Sequence, residues 1–236
     1  MLTIFRNTNH IHFVGIGGIG MSGMAELLFN HGFIISGSDI KKSERTEHLR
    51  NCGIKITYKH EAINIANCDV IVYSSAVNKN NPEIIAGRKS NIPIIKRAEL
   101  LGELIKIKEI SIAVSGTHGK TTTSSMLGNI LYEYKLNPTL IIGGIVNKFN
   151  SNNISGSGNI IVVEADEFDK SFLDLKPTYS IITNLDLDHL ECYHNFEDLI
   201  NSFSQFANSV PFYGKVAICI DDLNTQKLMS KLKKPY

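Results

Sequence analysis

The sequence predicts an α/β chain built from two successive parallel-sheet units, each with helices on its faces. Three observations predict it. Short apolar runs alternate with amphipathic segments from one end to the other. The runs at 10–15 and 109–115 each lead into a glycine loop and then a helix-forming segment. Between the units, "GELIKIKEIS" (102–111) places charge between apolar blocks, which sets a boundary near residue 107.

In the first unit, strand "HIHFVG" (10–15) enters the glycine loop and a helix around "MSGMAELLFNHG", with Gly32 as its C-terminal cap. Strand "FIISGSD", a polar helix around "SERTEHLRNCG", strand "IKITY" and the strongly apolar "CDVIVYSSAV" (68–77) follow. "NPEIIAGRKSN", "IPIIKR" and a helix through Leu104 complete the unit. In the second, strand 109–115 precedes the helix "KTTTSSMLGNILYEY", and further strands are expected at "PTLIIGG", "NIIVVEAD", "YSIITN" and "KVAICID". Phe196, Leu199, Ile200, Phe203, Phe206, Ala207 and Val210 recur at spacings of three and four, the pattern of an amphipathic helix packed on a sheet. "NSNNISGSGN" (150–159) reads as an exposed loop.

Composition excludes several classes of function. With 24 basic and 23 acidic residues the chain has no overall field for nucleic acid or an anionic membrane. No apolar run approaches the ~20 residues that cross a bilayer. Cys52, Cys68, Cys192 and Cys219 are scattered, with no CxxC pair, and the first residues are not a signal peptide. A reducing cytoplasm is the expected compartment, with cysteines that mostly fill space.

"GIGGIG" satisfies G-x-G-x-x-G with Gly15, Gly17 and Gly20, between a strand and a helix, and Asp39 ends the next strand. Glycines at those positions let backbone approach a pyrophosphate, the helix start supplies N–H groups, and the carboxylate accepts from a ribose hydroxyl. The first unit is therefore Rossmann-like, and this spacing does not say which nucleotide it takes. An NAD-dependent dehydrogenase would use the same residues, and so would tight strand-to-helix packing without any ligand.

The second loop, "SGTHGKTTT", is a shortened phosphate loop, with only Thr117 and His118 between Gly116 and Gly119. Such a loop needs flexible backbone, a lysine for the terminal phosphates and a hydroxyl for magnesium; Gly119, Lys120 and Thr121 supply these. Magnesium wants further oxygen-rich ligands. Glu164 ends the strand "NIIVVE" and His189 lies just beyond the next strand, both at the carboxyl edge where open α/β sheets bind ligands. Taken alone, His189 reads more readily as a solvated loop histidine, Asp166, Glu167 and Asp169 read also as a solvated acidic turn, and His118 reads equally as a structural residue.

Taken together, "GIGGIGMSGMAE" (15–26), "GTHGKTTT" (116–123), "EADE" (164–167) and "TNLDLDH" (183–189) resemble the Mur ligases of peptidoglycan synthesis over essentially the whole chain. The first motif is most like that of the members joining L-alanine to UDP-N-acetylmuramate. The resemblance implies a Rossmann-like UDP-N-acetylmuramate-binding domain at 1–107 and a central P-loop ATPase domain at 108–236. It also implies that ATP phosphorylates the lactyl carboxylate and that the amine of L-alanine attacks the acyl phosphate. On this basis Gly116, Thr117, His118, Gly119, Lys120, Thr121 and Thr122 hold the ATP phosphates, and Lys120 neutralises charge in transfer. Thr121, Glu164 and His189 hold Mg2+. Gly15, Gly17, Gly18, Ile19, Gly20 and Asp39 lie against the UDP group, with Ser74 and Ser75 ("SSAV", 74–77) as further contacts. The family carries a third, C-terminal domain, so the 236 residues read as an excised piece or a truncated gene product with little turnover alone. A non-catalytic nucleotide-binding remnant and the tripeptide-recycling ligase of the same family are the alternatives.

Overall fold

The computed structural model describes residues 5, 8–146, 151–186 and 192–236. The chain divides into two compact units, Met1–Glu103 and Leu104–Tyr236, a few residues before the expected boundary at 107.

In the first unit, β1 (His10–Val14), β2 (Ile34–Ser38), β3 (Lys55–Thr57), β4 (Val70–Tyr73) and β5 (Ile94–Lys96) alternate with α1 (Ile19–Asn30), α2 (Glu44–Asn51), α3 (Pro82–Lys89) and α4 (Arg97–Leu104). The strand order is β3-β2-β1-β4-β5, all parallel, so β1 lies centrally with crossovers departing to either side. That is the switch point where such sheets open a crevice. Phe13, Val14, Ile71 and Val72 are fully buried, as strands covered on both faces require. Cys68 fills space beside Val14, Ile71 and Ile84, and burial pushes its thiol up to about 11. The polar helix α2 is fixed at its start: the Ser43 hydroxyl accepts from the Thr46 N–H while the Thr46 side chain accepts from the Ser43 N–H.

In the second unit, β6 (Ile110–Ser115) leads to α5 (Lys120–Glu133), then β7 (Thr139–Val146), β8 (Ser151–Ile154), β9 (Ile160–Glu164), β10 (Tyr179–Ile182), α6 (Phe196–Ala207), β11 (Lys215–Ile218) and α7 (Leu223–Met229). The order is β11-β10-β6-β9-β7-β8, parallel except for the β7–β8 pair. The expected loop at 150–159 is corrected here, since Ser151–Ile154 form an antiparallel edge strand on β7. Backbone pairing needs only N–H and C=O groups, so a polar edge strand leaves no hydrophobic alternation to read. The amphipathic helix ends at Ala207, one turn before Val210, which is nonetheless buried. Its face packs on Phe172, whose ring centroid lies 5.0 Å from Phe203 and 5.1 Å from Phe206.

Candidate functional site

Two sets of residues gather at the carboxyl ends of the two sheets, one set in each unit. In the first unit the chain leaves β1 through Gly15 at φ +81, a left-handed conformation that favours glycine. The Gly15 and Ile16 N–H groups both donate to the Ser38 carbonyl at the end of β2, at 2.8 and 3.0 Å. Asp39 takes over from there. Its Oδ2 accepts the Gly17 N–H at 2.8 Å and its Oδ1 the Lys41 N–H at 3.0 Å. Each carboxylate oxygen can accept a second bond, so a ligand hydroxyl still has an acceptor there. Arg45 reaches back from α2, its Nε donating to the Gly17 carbonyl at 2.9 Å.

These residues border a cleft of about 750 Å3, lined also by Lys41, His60, Ser74, Asn78 and Asn81. Of the residues expected against UDP, the cleft brings together Gly15, Gly17, Gly18, Asp39 and Ser74. Ile19, Gly20 and Ser75 are not in its lining: Ile19 is 40 % exposed, and a Cβ on Gly20 would press on Arg97. Sequence reasoning missed Lys41, Arg45 and His60. The two cations sit within six residues of Asp39, a signal that was available; His60 had none.

Beneath the cleft lies a buried polar network centred on Glu83, which is fully buried on α3. Ser38 Oγ donates to Glu83 Oε2 at 2.6 Å, and His60 Nδ1 lies 3.0 Å from the same oxygen. Asn64 Nδ2 donates to Glu83 Oε1 at 2.5 Å, with His12 Nε2 at 3.5 Å. Burial pushes the Glu83 carboxyl up, but the nearby His12 imidazole and hydrogen bonds from Ser38 and Asn64 outweigh it and hold the group below the usual range. Because the Ser38 proton is committed to Glu83, the neighbours of His60 Nδ1 are acceptors, which places the proton on Nδ1 and leaves Nε2 for the cleft.

In the second unit, Gly116 at φ +134 and Gly119 at φ +81 bend the chain from β6 into α5, with Gly119 as the left-handed cap. The loop is clamped by the segment after β10. The Thr117 N–H donates to the Asn184 carbonyl at 3.1 Å and the His118 N–H to Asn184 Oδ1 at 2.9 Å. Thr183 Oγ1 and Asn184 Nδ2 donate to the His118 carbonyl at 2.6 and 3.0 Å, and the Asp186 N–H to Thr117 Oγ1 at 2.8 Å. A Cβ on Gly116 would collide with Thr183 Oγ1, so the clamp itself demands glycine there. Thr183 and Asn184 belong to a motif read in the sequence, but their clamping role was not foreseen.

Lys120 opens α5 and folds back over the loop, its Nζ donating to Gly116 O and Glu167 Oε2, both at 2.7 Å. The solvated acidic turn is corrected at Glu167, which is only 1 % exposed and ion-paired with Lys120. Its carbonyl accepts from the Tyr193 hydroxyl at 2.7 Å, which anchors the turn. Register sets the remaining partner: Val114 pairs with Glu164, so the carboxylate lies beside the strand that feeds the loop. Thr121 Oγ1 donates to Glu164 Oε2 at 3.2 Å. Glu164 Oε1 is buried without a hydrogen-bond partner among the described residues. Burial pushes this carboxyl up, opposed by the Gly143 N–H and Thr121 hydroxyl. Gly143 and Gly144 make room, since a Cβ on the first would press on Glu164 and on the second on Thr121. Thr121 and Glu164 thus meet, offering the oxygen donors that suit a hard divalent cation. Thr122 follows on α5, and His189 lies outside the described residues.

This arrangement matches known proteins over nearly all of the chain. The family model for the Mur ligase family, catalytic domain, matches residues 10–109, and that for the Mur ligase middle domain matches 114–236. The chain belongs to the Mur ligase family. It is similar to the UDP-N-acetylmuramate–L-alanine ligase of Syntrophus aciditrophicus, 49% identical over 97% of this chain and 48% of the relative. The ligase of the same name from a Geobacter species is 47% identical over 99% of this chain and 50% of the relative. The chain thus spans about half the length of the curated relatives it matches. Among solved structures, UDP-N-acetylmuramate-alanine ligase from Thermotoga maritima aligns with a TM-score of 0.84 and 37% identity, over 93% of this chain and 51% of that one. UDP-N-acetylmuramate:L-alanyl-gamma-D-glutamyl-meso-diaminopimelate ligase from Neisseria meningitides gives 0.88 and 27%, over 97% and 76%. Mur ligases in this comparison share the two-unit α/β architecture seen here. Among the described residues, no helix is long and apolar enough to cross a membrane.

Proposed function

We propose that this Mur ligase chain carries the UDP-N-acetylmuramate-binding (1–107) and ATP-binding (108–236) parts of an enzyme that joins L-alanine to UDP-N-acetylmuramate in the cytoplasm. The observation that carries the reading is the meeting of Lys120, Thr121 and Glu164 at one loop, with a buried carboxylate oxygen left unpartnered. An isolated buried acceptor is costly unless something fills it. The donor set fits Mg2+, with Thr121 and Glu164 holding it and His189 proposed as a further ligand. Bound there, Mg2+ would supply charge neutralisation for phosphoryl transfer.

The chain's own groups do the rest. The loop from Gly116 to Thr122 lies against the ATP phosphates, with the N–H groups of Gly119 to Thr122 as donors while those of Thr117 and His118 stay on Asn184, and Lys120 exchanges Glu167 for the γ-phosphate. The lactyl carboxylate attacks the γ-phosphorus, the bond to ADP breaks, and an acyl phosphate forms. The L-alanine amine then attacks the acyl carbon, inorganic phosphate leaves, and the amine gives up a proton as the amide closes. Positioning and charge provide most of the acceleration in such a reaction. In the first unit, Gly15, Gly17 and Gly18 with the helix start take the diphosphate, while Asp39 and Ser74 take hydroxyl groups of the substrate.

The identity to alanine-adding ligases, well above that to the peptide-adding one, favours L-alanine as the nucleophile. Calorimetry with ATP–Mg2+ on wild type and Lys120→Ala tests the ATP site; equal affinity in the two overturns it. Titration with UDP-N-acetylmuramate and with NADH tests the cleft, and preference for NADH overturns the nucleotide-sugar reading. Phosphate release dependent on both UDP-N-acetylmuramate and L-alanine tests the reaction, and dependence on a peptide instead of L-alanine selects the recycling activity.

A further inference from the structure

Outside both sites, α1 and α2 bring three potential metal ligands to one point. Glu26 Oε1 lies 2.9 Å from His48 Nε2, and Cys52 Sγ lies 3.7 Å from the same nitrogen. All three ligand atoms lie within 4.8 Å of one another, and among the described residues no other group of His, Cys, Asp and Glu does this. His48 lies in the last turn of α2 and Cys52, four residues on, caps its end, on a helix whose start is fixed by the Ser43–Thr46 capping box. Glu26 reaches across from α1.

The geometry points to a binding site for a borderline transition-metal dication, of which Zn2+ is the type, held by Glu26, His48 and Cys52. Zinc bonds of about 2.0–2.3 Å at tetrahedral angles put donor atoms about 3.3–3.6 Å apart. The sulfur–nitrogen separation of 3.7 Å is close to this, the nitrogen–oxygen pair needs to open by a few tenths of an ångström, and the sulfur and carboxylate oxygen lie within 4.8 Å. A carboxylate, an imidazole and a thiolate form a mixed donor set that favours zinc over magnesium, which prefers oxygen. His48 is 57% and Glu26 28% exposed, so the ion can enter and a water can complete the coordination. Binding releases the thiol proton and requires a neutral imidazole, so affinity rises with pH. The bound ion would bridge α1 to α2. Neither helix contributes Glu26, His48 or Cys52 to the cleft lining, so the site is separate from nucleotide binding.

Cobalt(II) is the probe, because a cobalt–thiolate bond gives a near-ultraviolet charge-transfer band that oxygen ligands cannot produce. Titrating the 236-residue chain with Co2+ is expected to raise this band to saturation at one equivalent. Zn2+ should displace it and excess Mg2+ should not. Cys52→Ala should abolish the band, and His48→Ala should weaken cobalt affinity by at least about tenfold. Circular dichroism on each variant, and a second substitution, Cys52→Ser, separate loss of the ligand from loss of the fold. Absence of the band in wild type overturns the proposal, as does a band that survives Cys52→Ala or one indifferent to His48→Ala.

Discussion

Both units place a glycine loop between an inner strand and a helix, and each loop is tied down by the end of a neighbouring strand. Their buried acids behave in opposite ways. Under the first loop, Glu83 is surrounded by donors from Ser38, Asn64 and His60, and its carboxyl is held low. Beside the second, burial pushes both Glu164 and Glu167 up, and only part of that is offset by Thr121, Gly143 and Lys120. A satisfied carboxylate holds a cleft wall in place. An under-satisfied one is suited to receive a cation or to surrender its lysine to a phosphate. The comparison separates scaffolding from chemistry more clearly than the glycine patterns do.

The largest way to break it is Glu83→Ala. Removing a fully buried, multiply bonded carboxylate should cost about 3–5 kcal/mol, read from chemical denaturation. Glu83→Gln should keep the fold yet weaken UDP-N-acetylmuramate binding by calorimetry, because the amide turns one acceptor oxygen into a donor among Ser38, His60 and Asn64. Next comes Gly116→Ala, expected to cost about 3 kcal/mol through positive φ and the clash with Thr183. Gly119→Ala, also at positive φ but with open space around it, should cost about 1 kcal/mol. Equal effects in thermal denaturation would show that strain, and not the Thr183 clamp, governs the loop.

Lys120→Met should cost about 2 kcal/mol, since Glu167 loses its charged partner, and should abolish ATP binding. Adding Glu167→Gln should restore the stability and leave ATP binding absent, which splits the structural part of the lysine from its chemical part. The smallest effect concerns Asp69, whose carboxyl is held low by the N–H groups of His10 and Asn9. Its folded value lies below the unfolded one of about 3.9, so its contribution is full above that value and fades as pH falls through the folded value. Asp69→Asn should therefore lower the urea midpoint near neutral pH, and the gap from wild type should close in acid.

Most of the fold was legible because its signals are local. Strand–loop–helix order, the cap at Gly32 and the apolar face of α6 each arise within a few residues of chain. Edge strand β8 was not legible, since an edge strand of serine and asparagine carries no burial pattern. The same locality explains the site. Gly116, Gly119, Lys120 and Thr121 lie within six residues, and Glu164 closes a strand of apolar neighbours, so both could be read. Glu167 could not, because nothing in "EADEFD" says which acid turns inward. His60 and Glu83 come from separate elements and meet only once β2, α3 and the segment after β3 are stacked.

By itself the sequence determined the two parallel-sheet units, the positions of both glycine loops and the family, because periodicity and short motifs are properties of neighbouring residues. Tertiary structure decided which acids are buried, which of them keep an unfilled oxygen, and that Thr183 and Asn184 hold the phosphate loop. Those facts depend on strand register and on water excluded by distant parts of the chain, and neither is written in any one segment.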